Sequence, residues 1–194
     1  MNITTIQTGP IQTNTYLIKA NNSIIVIDPG DEASKIIAFA QKIGSPIKYV
    51  LLTHTHYDHT GAVETLQKNG AKVYMHQKET DYANSPFGVF GRVSADELIS
   101  SDTALELDGV KIDVLHTPGH SVGSVCYVAG KNVFSGDTLF LEEVGRCDLP
   151  GGDFEVLKQS LKKVLALPKD YAVLPGHGPA STIAHEIKNN RYAR

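Results

Sequence analysis

Thr53-His54-Thr55-His56-Tyr57-Asp58-His59-Thr60-Gly61 places three imidazoles and a carboxylate within six residues. The apolar run Tyr49-Val50-Leu51-Leu52 precedes it and reads as a buried strand. Ala62-Val63-Glu64-Thr65-Leu66 follows and reads as a helix closed by Gly70. The cluster therefore lies on a tight loop between a strand end and a helix start, where side chains converge in front of a sheet. Neutral imidazole suits zinc and other late divalent ions, and carboxylate oxygen suits harder ones. His54 and His56 are two apart, so in extended chain both point to one side and can grip one ion. Asp58 and His59 lie past the bend, within reach of a second. A solvated histidine-rich tag belongs at a terminus, whereas this cluster sits between two patterned elements.

Working outward, residues 3–8 read as a first strand, and 14–18 with 23–28 as a hairpin turning at Asn21-Asn22. Asp28-Pro29-Gly30 breaks the chain. A helix begins at Asp31 with Ile36, Ile37, Ala40 and Ile43 on one face, and Gly44 ends it. Residues 47–53 deliver the histidine loop, and 71–76 form another short strand. The pattern weakens over 77–101, where 85–91 reads as an irregular loop with exposed aromatics, either a cap over a site or a plain connection. Strands return at 103–107 and 110–115, turning at Asp108-Gly109, and again at 124–128 and 132–135, turning near Gly130. Phe154, Leu157, Leu161, Val164 and Leu165 mark an amphipathic helix that Pro168 stops. Residues 171–174 form a last strand and 182–190 a last helix. This order of elements predicts an α+β chain with two sheets face to face and helices outside.

Three further turns place a ligand-type side chain directly after a strand: Thr117-Pro118-Gly119-His120, Ser135-Gly136-Asp137-Thr138 and Pro175-Gly176-His177-Gly178. Glycine and proline there set unusual backbone angles and allow close approach to an ion. One such turn carries little weight; three, added to the first loop, carry a great deal.

Together these motifs resemble the metallo-β-lactamase superfamily over nearly the whole chain. The resemblance implies one domain, 1–194, folded as an αββα sandwich of two mixed sheets flanked by helices. It further implies a two-metal site at one edge of the sheets. His54, His56 and His120 would hold one metal, Asp58, His59 and His177 the other, and Asp137 would bridge them. Zinc is the expected ion, with iron or manganese as alternatives.

Within the superfamily, Gly136-Asp137-Thr138-Leu139-Phe140 followed by Gly145-Arg146 resembles the short glyoxalase II-type proteins (hydroxyacylglutathione hydrolases). That resemblance implies a thioesterase cleaving S-lactoylglutathione or a related acylglutathione by attack of a metal-bridging hydroxide. Two zinc ions would bring the pKa of the shared water down toward about 7. Asp58 would also orient the nucleophile. Arg146 would bind the glutathione moiety, since its donor fork matches a carboxylate; an ion pair with Asp148 or Glu143 is the competing reading. Two features depart from the family. The helical extension with which full-length members hold glutathione is not found after His177, and the tyrosine expected shortly after the basic residue is missing near Asp148. The alternatives are a persulfide dioxygenase with a single iron, or a lactone or β-lactam hydrolase on the same fold.

A net charge of -3 and the lack of a long basic run argue against nucleic acid as a partner. No apolar run is long enough to span a membrane, and the first residues lack the pattern of a secretory signal. Cys126 and Cys147 suit a reducing cytosol, so a cytoplasmic location is expected, and the resemblance implies a small-molecule thioester substrate. Whether the two cysteines pair is open, although Cys126 falls inside a strand and reads as core. The oligomeric state is also open. His116 reads as structural or as a partner to a ligand, and His76 and His185 as surface or helix residues. Asp28 reads either as a turn residue or as a hydrogen-bond partner of a ligand histidine.

Overall fold

The computed structural model describes residues 1–83 and 85–193. The first sheet runs β1 (Ile3–Thr8), β2 (Thr13–Lys19), β3 (Ile24–Ile27), β4 (Ile47–Leu51), β5 (Lys72–His76) and β6 (Glu97–Ile99), in that order. Its first three strands pair antiparallel and the rest parallel. Helices α1 (Ala33–Lys42) and α2 (Val63–Lys68) supply the crossovers that parallel pairing needs. The second sheet contains β7 (Thr103–Leu107), β8 (Val110–His116), β9 (Val125–Ala129) and β10 (Asn132–Gly136). A small ribbon follows, β11 (Leu139–Phe140) with β12 (Glu143–Val144), and then α3 (Phe154–Leu165). β13 (Ala172–Pro175) joins β10 in parallel, β14 (Ser181–Thr182) caps that edge, and α4 (Ile183–Asn189) ends the fold.

Alternation along the strands sorts the apolar side chains into three layers. Ile18, Ile25, Ile27, Val125, Tyr127 and Phe134 fill the space between the sheets. Their neighbours Leu17, Val26 and Val50 face outward and pack with Ile36 of α1 and Leu66 of α2. On the opposite side Cys126, Val128 and Val133 meet Leu161 and Val164 of α3 and Ile183 of α4. A period of two in the strands and 3.6 in the helices thus yields the αββα sandwich. Tyr16 and Phe134 meet edge to face across the sheets with centroids 5.2 Å apart. Asp153 caps α3, its Oδ1 accepting from the backbone N–H of Glu155 at 2.9 Å and of Val156 at 3.1 Å. The Asp108-Gly109 turn has φ of 50° and 82°, as a tight hairpin requires.

Several expectations need correction. The strand at 47–53 stops at Leu51, because the Thr53 N–H leaves the ladder to donate to Asp28 Oδ1 at 2.8 Å. β6, β11, β12 and β14 were not legible. Phe90 is buried, not exposed: its ring packs on His56 with centroids 5.0 Å apart, while Phe87 in the same loop stays exposed. Both cysteines are free, and Cys126 is fully buried as expected. Among the described residues, no helix is long and apolar enough to cross a membrane.

His76 is buried rather than at the surface, and stacks on His116 with centroids 4.1 Å apart and planes 5° from parallel. His116 donates through Nε2 to the Val122 carbonyl at 3.1 Å, so its role is structural. Burial and the adjacent His116 ring push the His76 pKa down to about 4. The unfolded chain takes up this proton near pH 6.5, earlier than the folded one. Stability is therefore expected to fall as pH drops from about 6.5 to about 4. Urea midpoints across that window should fall more steeply in the wild type than in His76→Gln. Parallel curves for the two proteins would refute this assignment.

Candidate metal centre

β4, β10 and β13 all end at one edge of the sandwich, and each releases its ligand-type residue there. The two sheets are tied at that edge. The Asn14 N–H donates to the Gly176 carbonyl at 2.7 Å, and Asn14 Nδ2 donates to the Pro175 and Gly178 carbonyls at 3.1 and 2.9 Å. The Gly176 N–H donates to the Gly136 carbonyl at 2.8 Å. The turns carrying Asp137 and His177 therefore cannot drift apart.

His54, His56 and His120 converge through one ring nitrogen each. His120 Nε2 lies 3.2 Å from His54 Nε2 and 2.9 Å from His56 Nδ1. A tetrahedral ion with bonds of 2.0–2.1 Å spaces its donors about 3.3 Å apart, close to this set. The opposite nitrogens fix the tautomers. His120 Nδ1 donates to the Arg146 carbonyl at 2.7 Å. His54 Nδ1 lies 3.0 Å from Thr53 Oγ1, which itself donates to Asp28 Oδ2 at 2.6 Å. Both rings therefore carry their proton on Nδ1 and turn a bare Nε2 inward.

The second set forms beside it. Asp58 and His59 lie on one turn of 3-10 helix, Tyr57–His59. Asp58 Oδ2 lies 3.2 Å from His59 Nε2 and 3.1 Å from His177 Nε2, and accepts from Thr13 Oγ1 at 3.2 Å. Asp137 reaches both sets. Its Oδ1 is 3.4 Å from His59 Nε2, and its Oδ2 is 3.5 Å from His120 Nε2 and 3.7 Å from His177 Nε2.

The residues fit a pair of cations. His59 Nε2 and Asp137 Oδ1 are buried without a hydrogen-bond partner, a costly state that a cation between them relieves. A side chain at Gly176 would run into Asp137 Oδ1 and His59 Cε1, so only glycine leaves room there. Burial and then neighbouring imidazoles hold His54 well below the ordinary imidazole range, and hold His56 at about 3, so both are neutral ligands. Burial works to raise Asp58, but the His177 and His59 rings beside its carboxylate outweigh it and keep the group well below the usual carboxylate range. Burial works to lower His59, yet the carboxylates of Asp137 and Asp28 outweigh it and raise the ring strongly. This half of the site thus calls for positive charge.

Asp28 also lies within ligand distance of His54 and His59. Its oxygens are already occupied, however, accepting from Thr53 N, Thr53 Oγ1 and His59 Nδ1 (the last at 2.9 Å). It supports ligands from behind, one of the two roles its sequence left open. His185 lies on α4 and bonds Glu142, away from the site. Thr53, Thr13 and Glu79 carry no motif that would have flagged them.

Five of the seven ligand-type residues, His56, Asp58, His120, Asp137 and His177, line a cavity of about 600 Å³ whose walls include Ile11, Tyr57, Val89, Phe140 and Leu149. Arg146 lines it as well. Its guanidinium is largely exposed and forms a bidentate pair with Asp148 at 2.7 and 2.8 Å, so the ion pair weighed from sequence exists.

Strand-end turns from two packed sheets, gathering imidazoles and carboxylates at one edge, define a metallo-hydrolase. The family model described as the metallo-beta-lactamase superfamily matches residues 8–177, and the chain belongs to that superfamily. It is 33% identical to the hydroxyacylglutathione hydrolase GloC of Haemophilus influenzae, over 99% of this chain and 98% of GloC. The structure of the B3 metallo-beta-lactamase BLEG-1 superposes with a TM-score of 0.92 at 35% identity, covering 99% of each chain. That of TTHA1623, solved in a di-iron-bound form, superposes with a TM-score of 0.85 at 37% identity, covering 97% of this chain and 99% of that one.

Proposed function

We propose that this protein is a cytoplasmic thioesterase that hydrolyses S-lactoylglutathione or a related acylglutathione on two divalent ions. Zinc is the expected metal, with iron or manganese as alternatives. The observation that carries this reading is a pair of adjoining ligand sets meeting at Asp137, with buried ligand atoms left unpartnered. The likeness to GloC supports the substrate class. A single-iron dioxygenase, the alternative reading, needs only two histidines and one carboxylate; the intact Asp58, His59 and His177 set fits hydrolysis better.

Two bound divalent cations supply Lewis acidity to the thioester carbonyl and a water of lowered pKa. Asp58, kept anionic by His177 and His59, is placed to accept a hydrogen bond from the attacking water and orient it. Val89, Phe140 and Leu149 give apolar walls to the cavity in which the thioester would sit. A thiolate leaves with little need of a proton donor. Arg146 takes a glutathione carboxylate by exchanging it for Asp148, which an exposed pair allows.

The test is thiol release from S-D-lactoylglutathione by protein of measured metal content. Release is expected from the wild type and should fall at least about tenfold in Asp58→Ala, a ligand whose loss costs no less than that of an outer partner. A protein holding two metals that releases no thiol would end the acylglutathione reading. The likeness to BLEG-1 supports lactone or β-lactam hydrolysis as the second reading, and turnover of a chromogenic cephalosporin would then be measured.

A further inference from the structure

Glu79 belongs to none of the ligand sets, yet it sits fully buried between the two loops that carry the three-histidine set. It closes a turn of 3-10 helix, Gln77–Glu79, directly after β5. Its Oε2 accepts from the Thr55 N–H at 2.9 Å and from Thr55 Oγ1 at 2.6 Å. Its Oε1 accepts from Ser121 Oγ at 2.7 Å and from the Gly123 N–H at 2.8 Å. Thr55 lies between His54 and His56, and Ser121 follows His120. One rigid carboxylate thus holds a loop of the first sheet against a loop of the second, at the spacing their histidines need. The fit is close: a side chain at Gly123 would lie 2.7 Å from Glu79 Cγ.

None of these four donors carries a charge, so Glu79 gains no ion pair here. A buried carboxylate is costly, and its two oxygens are filled by the donors of two loops. The other ligand set is braced separately, with His59 held by Asp28, Asp58 by Thr13 and the His177 turn by Asn14.

We propose that Glu79 is a positioning residue of the three-histidine set: it holds the loops carrying His54, His56 and His120 together for one metal and leaves the Asp58, His59 and His177 set largely untouched. The inference rests on the two-metal reading above, but its test needs no substrate.

Co(II) would be added stepwise to metal-free protein, with both dissociation constants followed by visible absorption and calorimetry. In Glu79→Gln the amide places an NH2 against one loop's donors. One constant is expected to rise roughly 10–100-fold, as for other outer partners of metal ligands, with the second unchanged. In a His177→Ala background, which keeps only the three-histidine set whole, the same loss should appear on the remaining strong site. Ser121→Ala removes one donor and should shift the same constant by less. It stands in for Glu79→Gln if that variant does not fold. Unchanged constants in both variants would overturn the inference. So would a parallel weakening of both sites that tracks a lower melting temperature of the metal-free protein, which marks a purely structural role. A wild type that binds no Co(II) would overturn the two-metal reading and this inference with it. A wild type that binds two and tolerates both variants would overturn this inference alone.

Discussion

Asp137→Ala is expected to empty both ligand sets together and to lower thioester hydrolysis by well over the roughly 100-fold that marks the upper range for outer partners of metal ligands. The reason is its place between the sets. One oxygen is 3.4 Å from His59 Nε2, and the other is 3.5 Å from His120 Nε2 and 3.7 Å from His177 Nε2. Its charge also acts against mutual repulsion among the imidazoles. Burial works to raise its pKa, but His59 and then His120 outweigh this and hold the carboxyl at about 2, so it is anionic at neutral pH. Alanine carries no oxygen to take its place. Metal content per chain, measured by plasma mass spectrometry after gel filtration, gives the answer. Two equivalents retained with an unchanged rate would show that Asp137 bridges nothing. Loss of one equivalent alone would assign it to a single set.

Asp28→Ala should lose stability and metal affinity together. Three buried donors, Thr53 N, Thr53 Oγ1 and His59 Nδ1, would lose their acceptor. An unsatisfied buried donor costs about 1–3 kcal/mol, so a total of several kcal/mol is expected in urea denaturation. His59 would lose the bond that fixes its tautomer, and His54 would lose the one relayed through Thr53. Metal affinity should drop roughly 10–100-fold. Asp28→Asn separates the two effects. Asn tolerates the left-handed φ of 48° at this position, and its carbonyl can still accept from Thr53. It should recover much of the stability while the His59 side stays weak. Native metal affinity in Asp28→Ala would remove Asp28 from any role behind the ligands.

Much of the site was legible because it is written locally. The spacing of His54, His56, Asp58 and His59, and the three strand-end turns bearing His120, Asp137 and His177, are patterns within a few residues. Strand alternation and helix periodicity likewise carried the layer order, since they record which face of each element is apolar. The strands of two or three residues carried no period to detect. His76 and Phe90 were misplaced for a related reason, as burial at a strand end or in a loop follows from what packs on it. Glu79 sat in a weakly patterned stretch, and nothing in its neighbours shows that it meets Thr55 and Ser121.

The sequence by itself determined which residue types stand at the strand ends, and hence that the chemistry is that of a metal. Only the tertiary structure decided which of them meet. His54 and His120 are 66 residues apart, and their 3.2 Å contact exists because two sheets end at one edge. It also settled that Arg146 pairs with Asp148 and that Asp28 is occupied by donors. Hydrogen-bond partners across such separations follow from how the sheets pack against each other, and no local period encodes that.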